Sequence, residues 1–274
     1  MYLNLLSFWE NALGTRLPAG FLERVVFLFN KYRGMFFRGM YITFILAFTG
    51  TVFGCLIGLV CGALRTIPLA PRDNILKRIV LKAVRGIIYC YVELFRGTPM
   101  IVQAMVIYYG LKMLGFSLEM MTAAIFIVSI NTGAYMAESV RGGIESIDPG
   151  QTEGAKAIGM NHANTMLYII LPQALRNIMP QIGNNLIINI KDTSVLNVIG
   201  TVELYFQTRS VAGTYYTYFE AFTISLVMYL FMTVVCSRVL RFIEKKIDGA
   251  DSYDLATPDV LAHTSGMLNA PKRK

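Results

Sequence analysis

The chain has few charged residues and almost no histidine. Of its 274 residues, 15% are charged and two are histidines, whereas soluble domains carry about 25% charged residues. The four cysteines show no Cys-x-x-Cys spacing, which favours small apolar residues over disulfides or metal ligands: Cys55, Cys61, Cys90 and Cys236. These shortages argue against a metal centre and disfavour an ordinary soluble domain.

Apolar residues are correspondingly abundant, at 55% of the chain, and the mean hydropathy is +0.52. Runs of about 20 apolar residues match the hydrocarbon thickness of a bilayer. Five such runs predict membrane-spanning helices, at about 39–64, 86–114, 118–140, 175–198 and 218–240. An unusually apolar soluble bundle is the alternative. The opening residues lack the small-residue cleavage pattern of a signal peptide.

The net charge of +8 is concentrated beside the predicted spans. Basic residues cluster between the first two spans and after the fifth: Arg65, Arg72, Lys77, Arg78, Lys82, Arg85, Arg238, Arg241, Lys245 and Lys246. Because positive residues flank the cytoplasmic ends of spans, this pattern requires no nucleic-acid partner and predicts an outside N-terminus and an inside C-terminus. Five N-terminal basic residues conflict with this topology: Arg16, Arg24, Lys31, Arg33 and Arg38. A sixth span within residues 1–36 is the alternative.

The predicted spans divide the chain into three parts. Residues 1–36 are predicted to form a separate extracytoplasmic segment, with a helix at 21–29 that is too short to span and lies at the membrane interface. Residues 37–247 form the membrane domain. The polar stretch 248–274 is predicted to be a flexible cytoplasmic tail.

A hydrophilic loop at about 146–165 is predicted to contain a short helix. Asp148 is a suitable N-cap, Pro149 suits the first helical position, and Gln151 could complete a capping box. Gly159 would end this helix, and Asn161 could cap the next. Small residues on an exposed helix are poorly explained by solvation, so we expect this helix to dock into a groove of a partner.

This loop carries a family resemblance. EGAKAIG at 153–159, followed by IILP at 169–172, resembles the EAA loop (E-A-A-x3-G-x9-I-x-L-P) of bacterial ABC importer permeases and departs from it only at Gly154. Four further blocks, at 92–103, 137–151, 171–185 and 191–200, resemble the polar amino acid uptake subfamily. Members of that subfamily import histidine, arginine, glutamine and related substrates.

The resemblance implies an all-α membrane protein of the bacterial cytoplasmic membrane, with a type I ABC importer fold of five transmembrane helices plus the N-terminal interfacial segment. It also implies ABC ATPase subunits as partners, a second permease subunit (identical or paralogous), and an extracytoplasmic amino acid-binding protein. The residues implied in coupling to the ATPase are Glu153, Gly154, Ala155, Ala157 and Gly159. The chain lacks a G-x-x-x-x-G-K-[ST] phosphate loop, so ATP and Mg²⁺ are expected on the partner, with no cofactor or catalytic residue here.

Polar residues inside the predicted spans are the candidates for contacting substrate, because the charges of an amino acid need partners in a low-dielectric cavity. On the third span, one helical face carries Asn131, Tyr135 and Glu138. On the fourth span, one face carries Asn185, Asn189 and Asp192, and Lys191 lies beside Asp192. The structural alternatives are asparagine bonds between helices, a Glu138–Arg141 pair, and mutual neutralisation of Lys191 and Asp192.

Other features near the spans have structural interpretations. Glu93 and Arg96 are spaced for an ion pair at the cytoplasmic end of the second span. Pro99 predicts a kink or a span start. Pro172 with Pro180 predicts irregular backbone entering the fourth span, of a kind found at transport sites; a role in helix packing is the alternative for these two prolines.

Two other function classes fit less well. An intramembrane enzyme would need paired catalytic carboxylates, a Ser–His or Ser–Lys set, or metal ligands at one depth, and the only span-adjacent histidine, His162, lies in the loop already described. A channel or ion-coupled transporter would usually show internal inverted repeats, which are not apparent here.

Overall fold

The computed structural model describes residues 17–69 and 74–248, and within those ranges it is helical with no strand. The helices are α1 (Phe21–Thr66), α2 (Ile75–Gly97), α3 (Met100–Met113), α4 (Met120–Glu145), α5 (Pro149–Ala157), α6 (His162–Thr165), α7 (Leu171–Asp192), α8 (Leu204–Tyr215) and α9 (Tyr218–Asp248). A π-helical turn, Met166–Ile170, joins α6 to α7, and a 3₁₀ helix, Thr193–Ile199, follows α7. The first sixteen residues and most of the predicted tail lie outside the described residues.

Three of the described helices, α1, α4 and α9, are long and apolar enough to cross a bilayer by length and composition. The predicted second span is two helices, α2 and α3, separated at Thr98 and Pro99. Thr98 is extended (φ −126°, ψ 149°), as expected for a residue that precedes proline. The fourth predicted span corresponds to α7, whose 22 residues include several polar side chains.

The helix α1 begins well before the predicted start of the first span at residue 39. Its 46 residues include a kink at Tyr32 (φ −114°, ψ 15°), where the helix of residues 21–31 meets the helix that contains the span. Leu28 and Phe36 are fully buried, in a cluster shared with α8 and α9. Protein therefore covers α1 on both sides of the kink.

Two of the basic residues that conflict with the predicted topology have partners on α8 and α9. Arg24 Nη1 lies 3.4 Å from Oε1 of Glu220. Lys31 Nζ donates a hydrogen bond of 2.5 Å to the hydroxyl of Tyr215 and lies 5.2 Å from the centroid of that ring. These charges stabilise contacts within the fold, so their weight as topology signals is small.

The helices α1 and α4 approach closely along a seam of glycines. Gly50, Gly54, Gly58 and Gly62 of α1 face Val128, Thr132, Met136 and Val140 of α4, both sets at four-residue intervals. A Cβ atom at Gly54 would lie 2.6 Å from Cβ of Thr132. In lipid, association of helices depends on close packing, which small residues permit. We call this contact the glycine seam; it holds α4, which carries part of the candidate site, against α1.

Candidate functional site

Five of the seven predicted substrate-path residues line a single cavity of about 260 Å³. The five lie on α4 and α7: Asn131, Tyr135, Asn185, Asn189 and Asp192. The remaining wall comes from Thr132, Ile188 and the break between α2 and α3, namely Thr98, Pro99 and Met100. The cavity is near the small end of the range for ligand sites, about 300–1,000 Å³, so its size suits a small ligand.

The break between α2 and α3 is held in place by side-chain amides. Gln103 Nε2 donates to the carbonyl oxygens of Phe95 and Thr98 and to Thr98 Oγ1, each at 2.9 Å. Asn131 Nδ2 on α4 donates to Gln103 Oε1 at 2.8 Å. The start of α3, where Met100 lines the cavity, therefore has a fixed position. A helix start offers backbone N–H groups and the positive end of the helix dipole.

Sequence reasoning predicted a kink or span start at Pro99 but did not place it at the site. It assigned irregular backbone of the transport type to Pro172 and Pro180 instead. Neither of these lines the cavity; Pro172 follows the π-helical turn, and α7 continues through Pro180. A proline directly after Gly97 and Thr98 was the available signal for a discontinuous helix.

Two asparagines of the cavity also make contacts that stabilise the bundle. Asn189 Nδ2 donates to Thr51 Oγ1 at 2.8 Å and to Thr132 Oγ1 at 3.0 Å, which joins α7 to α1 and α4. Asn185 Nδ2 donates to Met136 Sδ on α4 at 3.1 Å and, within α7, to the carbonyl oxygen of Gln181 at 3.0 Å. The donor sides of both amides are therefore engaged in packing, as the structural alternative predicted.

Glu138 lies outside the cavity, in a cluster of ion pairs. Its Oε2 accepts a hydrogen bond of 2.6 Å from Arg65 Nη1, and its Oε1 pairs with Arg141, which also pairs with Glu145. The cluster ties the carboxyl end of α1 to that of α4. Helical spacing put Glu138 on the same face as Asn131, but spacing does not show that Arg65 on a neighbouring helix pairs with it.

The cavity and its surroundings contain charges of both signs. Asp192 lines the cavity, whereas the neighbouring Lys191 does not, and both side chains are exposed. The guanidinium carbon of Arg96 lies 5.7 Å from the centroid of the Tyr135 ring, a cation–π distance. In the described part of the chain Arg96 makes this contact and no ion pair with Glu93, contrary to the prediction.

The short helix α5 forms in the predicted loop. Asp148 Oδ1 accepts a 2.7 Å hydrogen bond from the Gly150 N–H, and Pro149 occupies the first position. Gln151 was predicted to complete a capping box with Asp148. Instead, its Oε1 accepts a hydrogen bond of 3.5 Å from Gln173 Nε2. This contact connects α5 to the start of α7.

The carboxyl end of α5 is a Schellman motif. Gly159 has φ +82°, its N–H donates to the Lys156 carbonyl, and the Met160 N–H donates to the Ala155 carbonyl, both at 3.0 Å. This backbone favours glycine. Asn161 caps the following helix as predicted, because its Oδ1 accepts from the Asn164 N–H at 2.8 Å.

The five predicted coupling residues do not share one exposed surface. Ala155 is 3% exposed and packs toward the bundle; the other four are exposed, namely Glu153, Gly154, Ala157 and Gly159. Ile158 lies among these four and is 77% exposed, an apolar side chain that sequence reasoning did not single out. We refer to the four residues with Ile158 as the loop surface.

Residues 75–249 match the family described as binding-protein-dependent transport system inner membrane component. The chain belongs to this permease family. The permease is 40% identical over 159 residues to the glutamine transport system permease protein GlnP of Escherichia coli (strain K12), covering 57% of this chain and 73% of that protein. It is 35% identical over 162 residues to the arginine transport system permease protein ArtQ of Bacillus subtilis (strain 168), covering 59% and 74%.

Solved structures agree with the predicted fold. A crystal structure of an amino acid ABC transporter with histidines superposes with a TM-score of 0.71 at 34% identity, covering 84% of the permease and 99% of that chain. The inward-facing MetNI methionine ABC transporter superposes with a TM-score of 0.64 at 20% identity, covering 79% and 98%, which supports the fold alone. The predicted type I ABC importer fold is confirmed.

These findings also confirm the coarse function predicted from the sequence. The permease is a subunit of an amino acid ABC importer and an inner membrane component, not the subunit that hydrolyses ATP. Membership of a binding-protein-dependent family implies an ATPase and a binding protein as partners.

Proposed function

We propose that the permease translocates a polar amino acid through the cavity between α4, α7 and the break at Pro99. The main support for this proposal is that five polar residues from two helices line one cavity together with the start of a third helix. Discontinuous helices whose ends face the substrate are a recurring device of transport sites. Relatives named for glutamine and arginine transport support a polar substrate.

The chemistry of the cavity assigns a role to each group. Asp192 pairs with the ammonium of the amino acid, because an unpaired charge in a low-dielectric site is costly. The N–H groups at the start of α3 receive the carboxylate, with the guanidinium of Arg96 nearby on Tyr135. Asn131 and Tyr135 contact the remainder of the substrate.

Asp192→Asn is expected to reduce uptake severely. The variant keeps the size of the side chain but removes the charge that pairs with the ammonium; hydrogen bonds to charged groups contribute about 1.5–3 kcal/mol, so the apparent substrate affinity should fall roughly tenfold to a hundredfold. The measurement is ATP-driven uptake of radiolabelled glutamine and arginine into proteoliposomes that contain the complete transporter.

Lys191→Gln is the matched control for this variant, because it removes a neighbouring charge that does not line the cavity. It should retain uptake close to that of the parent. Both variants should co-purify with the ATPase in normal amounts. Unchanged uptake of every polar amino acid by Asp192→Asn would contradict the proposed path.

The loop surface is proposed to dock the ATPase subunits, which would bind the ATP and Mg²⁺. Exposed small residues permit close approach of a partner, and Ile158 offers an apolar contact. Glu153 is exposed and can pair with a basic residue of the partner. A second permease subunit, identical or paralogous, would complete the path, and an extracytoplasmic binding protein would deliver the amino acid.

The proposed topology in the bacterial cytoplasmic membrane has the N-terminus outside and the C-terminus inside. The partners found for Arg24 and Lys31 support it, since these charges serve the fold. In a background without the native cysteines, a cysteine replacing Asn11 should react with an impermeant maleimide in intact cells, and one replacing Ile158 only after permeabilisation. The reverse pattern would exclude this topology, and reaction at neither site in intact cells would favour the sixth span.

A further inference from the structure

The first turns of α2 protrude from the bundle. Residues 75–80 are all exposed, and the segment has two distinct faces. At 100° per residue, four exposed apolar side chains fall on one side: Ile75, Leu76, Ile79 and Val80. Arg78 falls on the opposite side, and Lys82 falls at the edge of the apolar side next to Ile75; both are exposed. The segment is therefore an amphipathic helix whose apolar face has no covering residues in the described part of the chain.

The length of α2 and α3 places this segment at the membrane surface. The 23 residues of α2 alone extend about 35 Å at 1.5 Å per residue, against a hydrocarbon core of about 30 Å, and the 14 residues of α3 follow the break at Thr98 and Pro99. Part of the pair must therefore lie outside the core. The end that carries Arg78 and Lys82 is the charged one, so it is this end that reaches the headgroup region.

We propose that residues 75–82 form a binding surface for anionic phospholipids, in which the apolar face lies at the acyl-chain boundary and Arg78 and Lys82 pair with the anionic headgroups. Lipid is the occupant that fits, because an exposed apolar face bordered by basic residues is the arrangement of interfacial helices. The segment also continues directly into a helix of the membrane domain. The proposal rests on the proposed topology only for the choice of the cytoplasmic leaflet.

This surface lies close to the loop that carries α5. Burial lowers the pKa of His162, and the positive charges of Lys156 and Lys77 lower it further. Lys77 belongs to the first turns of α2 and Lys156 to α5, so both are near one imidazole. A cavity of about 230 Å³ separates α5 from the ends of α1 and α4, and Lys156 and His162 line it. Anionic lipid at residues 75–82 would therefore border the loop that is proposed to dock the ATPase.

The test uses the complete transporter in nanodiscs, where both leaflets have the same composition and topology does not matter. Ile79→Cys, in a background without the native cysteines, carries an environment-sensitive fluorophore. Spin-labelled phosphatidylglycerol should quench it more strongly than spin-labelled phosphatidylcholine at the same mole fraction. Removing both charges, in Arg78→Gln with Lys82→Gln, should abolish that difference, since two charges of about 1 kcal/mol each lower the preference for an anionic surface about 30-fold.

Arg241→Gln with Lys245→Gln is the matched control. It removes the same two residue types at the same spacing from the exposed end of α9, and the quenching difference should persist. Absence of quenching in every lipid would overturn the proposal and indicate a protein occupant. If both double variants lost the quenching difference equally, the difference would reflect net charge and the proposed lipid surface would be contradicted. Uptake by the same samples is a separate readout, so failure here is distinguishable from failure of the proposed path.

Discussion

Replacing Gly58 by leucine is expected to abolish accumulation of folded permease, and replacing it by alanine is expected to destabilise the permease. A Cβ atom at this position would lie 2.8 Å from the carbonyl carbon of Met136 and 2.9 Å from the backbone nitrogen of Ala137. These are backbone atoms of α4, so no rotamer change can relieve the contact. The glycine seam would have to open, and overpacking typically costs about 1–3 kcal/mol and occasionally more.

The expected gradation makes this prediction specific. Alanine already introduces the clashing atom, so Gly58→Ala should lower the thermal unfolding temperature clearly, and Gly58→Leu should leave little monodisperse protein in detergent. Gly110→Leu on α3 is the matched control, because a Cβ there meets no atom within 4 Å. Size-exclusion chromatography and thermal unfolding of all three variants would check it. Equal behaviour of the Gly58 and Gly110 variants would mean that the seam does not limit folding.

The sequence predicts the membrane domain because hydropathy depends on composition, which the sequence contains directly. It does not predict where α1 begins. Residues 21–29 are too short to span alone, and they belong to the part of α1 before the kink at Tyr32, where Leu28 is buried in a cluster with residues of α8 and α9. The close contact at Gly58 could not be predicted either, because glycines every four residues on α1 identify a packing face but not its partner.

The candidate site was predictable to the extent that helical periodicity defines it. Asn131 and Tyr135 on α4, and Asp192 on α7, were placed on faces by spacing, and the structure brings those faces together. Spacing cannot show how far a cavity extends along a helical face. Glu138 was therefore predicted to line the substrate path, although it lies outside the cavity and pairs with Arg65. The contact of Arg96 with Tyr135 joins two helices and has no sequence signal.

The loop surface gives the second large expected effect. Gly154→Trp should leave insertion and thermal stability of the permease near those of the parent, yet weaken ATPase binding or lower transport-linked ATP hydrolysis by at least about tenfold, the consequence of losing about 1.4 kcal/mol of docking free energy. Gly154 is exposed, and a Cβ added there meets no atom within 4 Å. The new side chain would therefore change only the surface that a partner meets.

Two neighbouring positions separate docking from folding. Ala155→Trp should destabilise the permease itself, because Ala155 is buried, and a bulky residue there would displace α5 from the bundle. Gly159→Trp combines bulk with a strained backbone, since φ is +82°, whereas Gly159→Asn tolerates that backbone and stays small. Co-purification of the ATPase and stimulated ATP hydrolysis, measured beside the unfolding temperature, distinguish these cases.

The decisive comparison is between Gly154→Trp and Gly159→Asn. If α5 docks into the ATPase, the bulky exposed side chain should impair coupling in a stable permease, and the asparagine should nearly preserve it because the Schellman motif survives. If Gly159 only ends a helix, and the loop surface contacts no partner, both variants should hydrolyse ATP and import amino acid at the parent rate. That result would remove the loop from the coupling interface, and the ATPase would then have to dock on a different cytoplasmic surface.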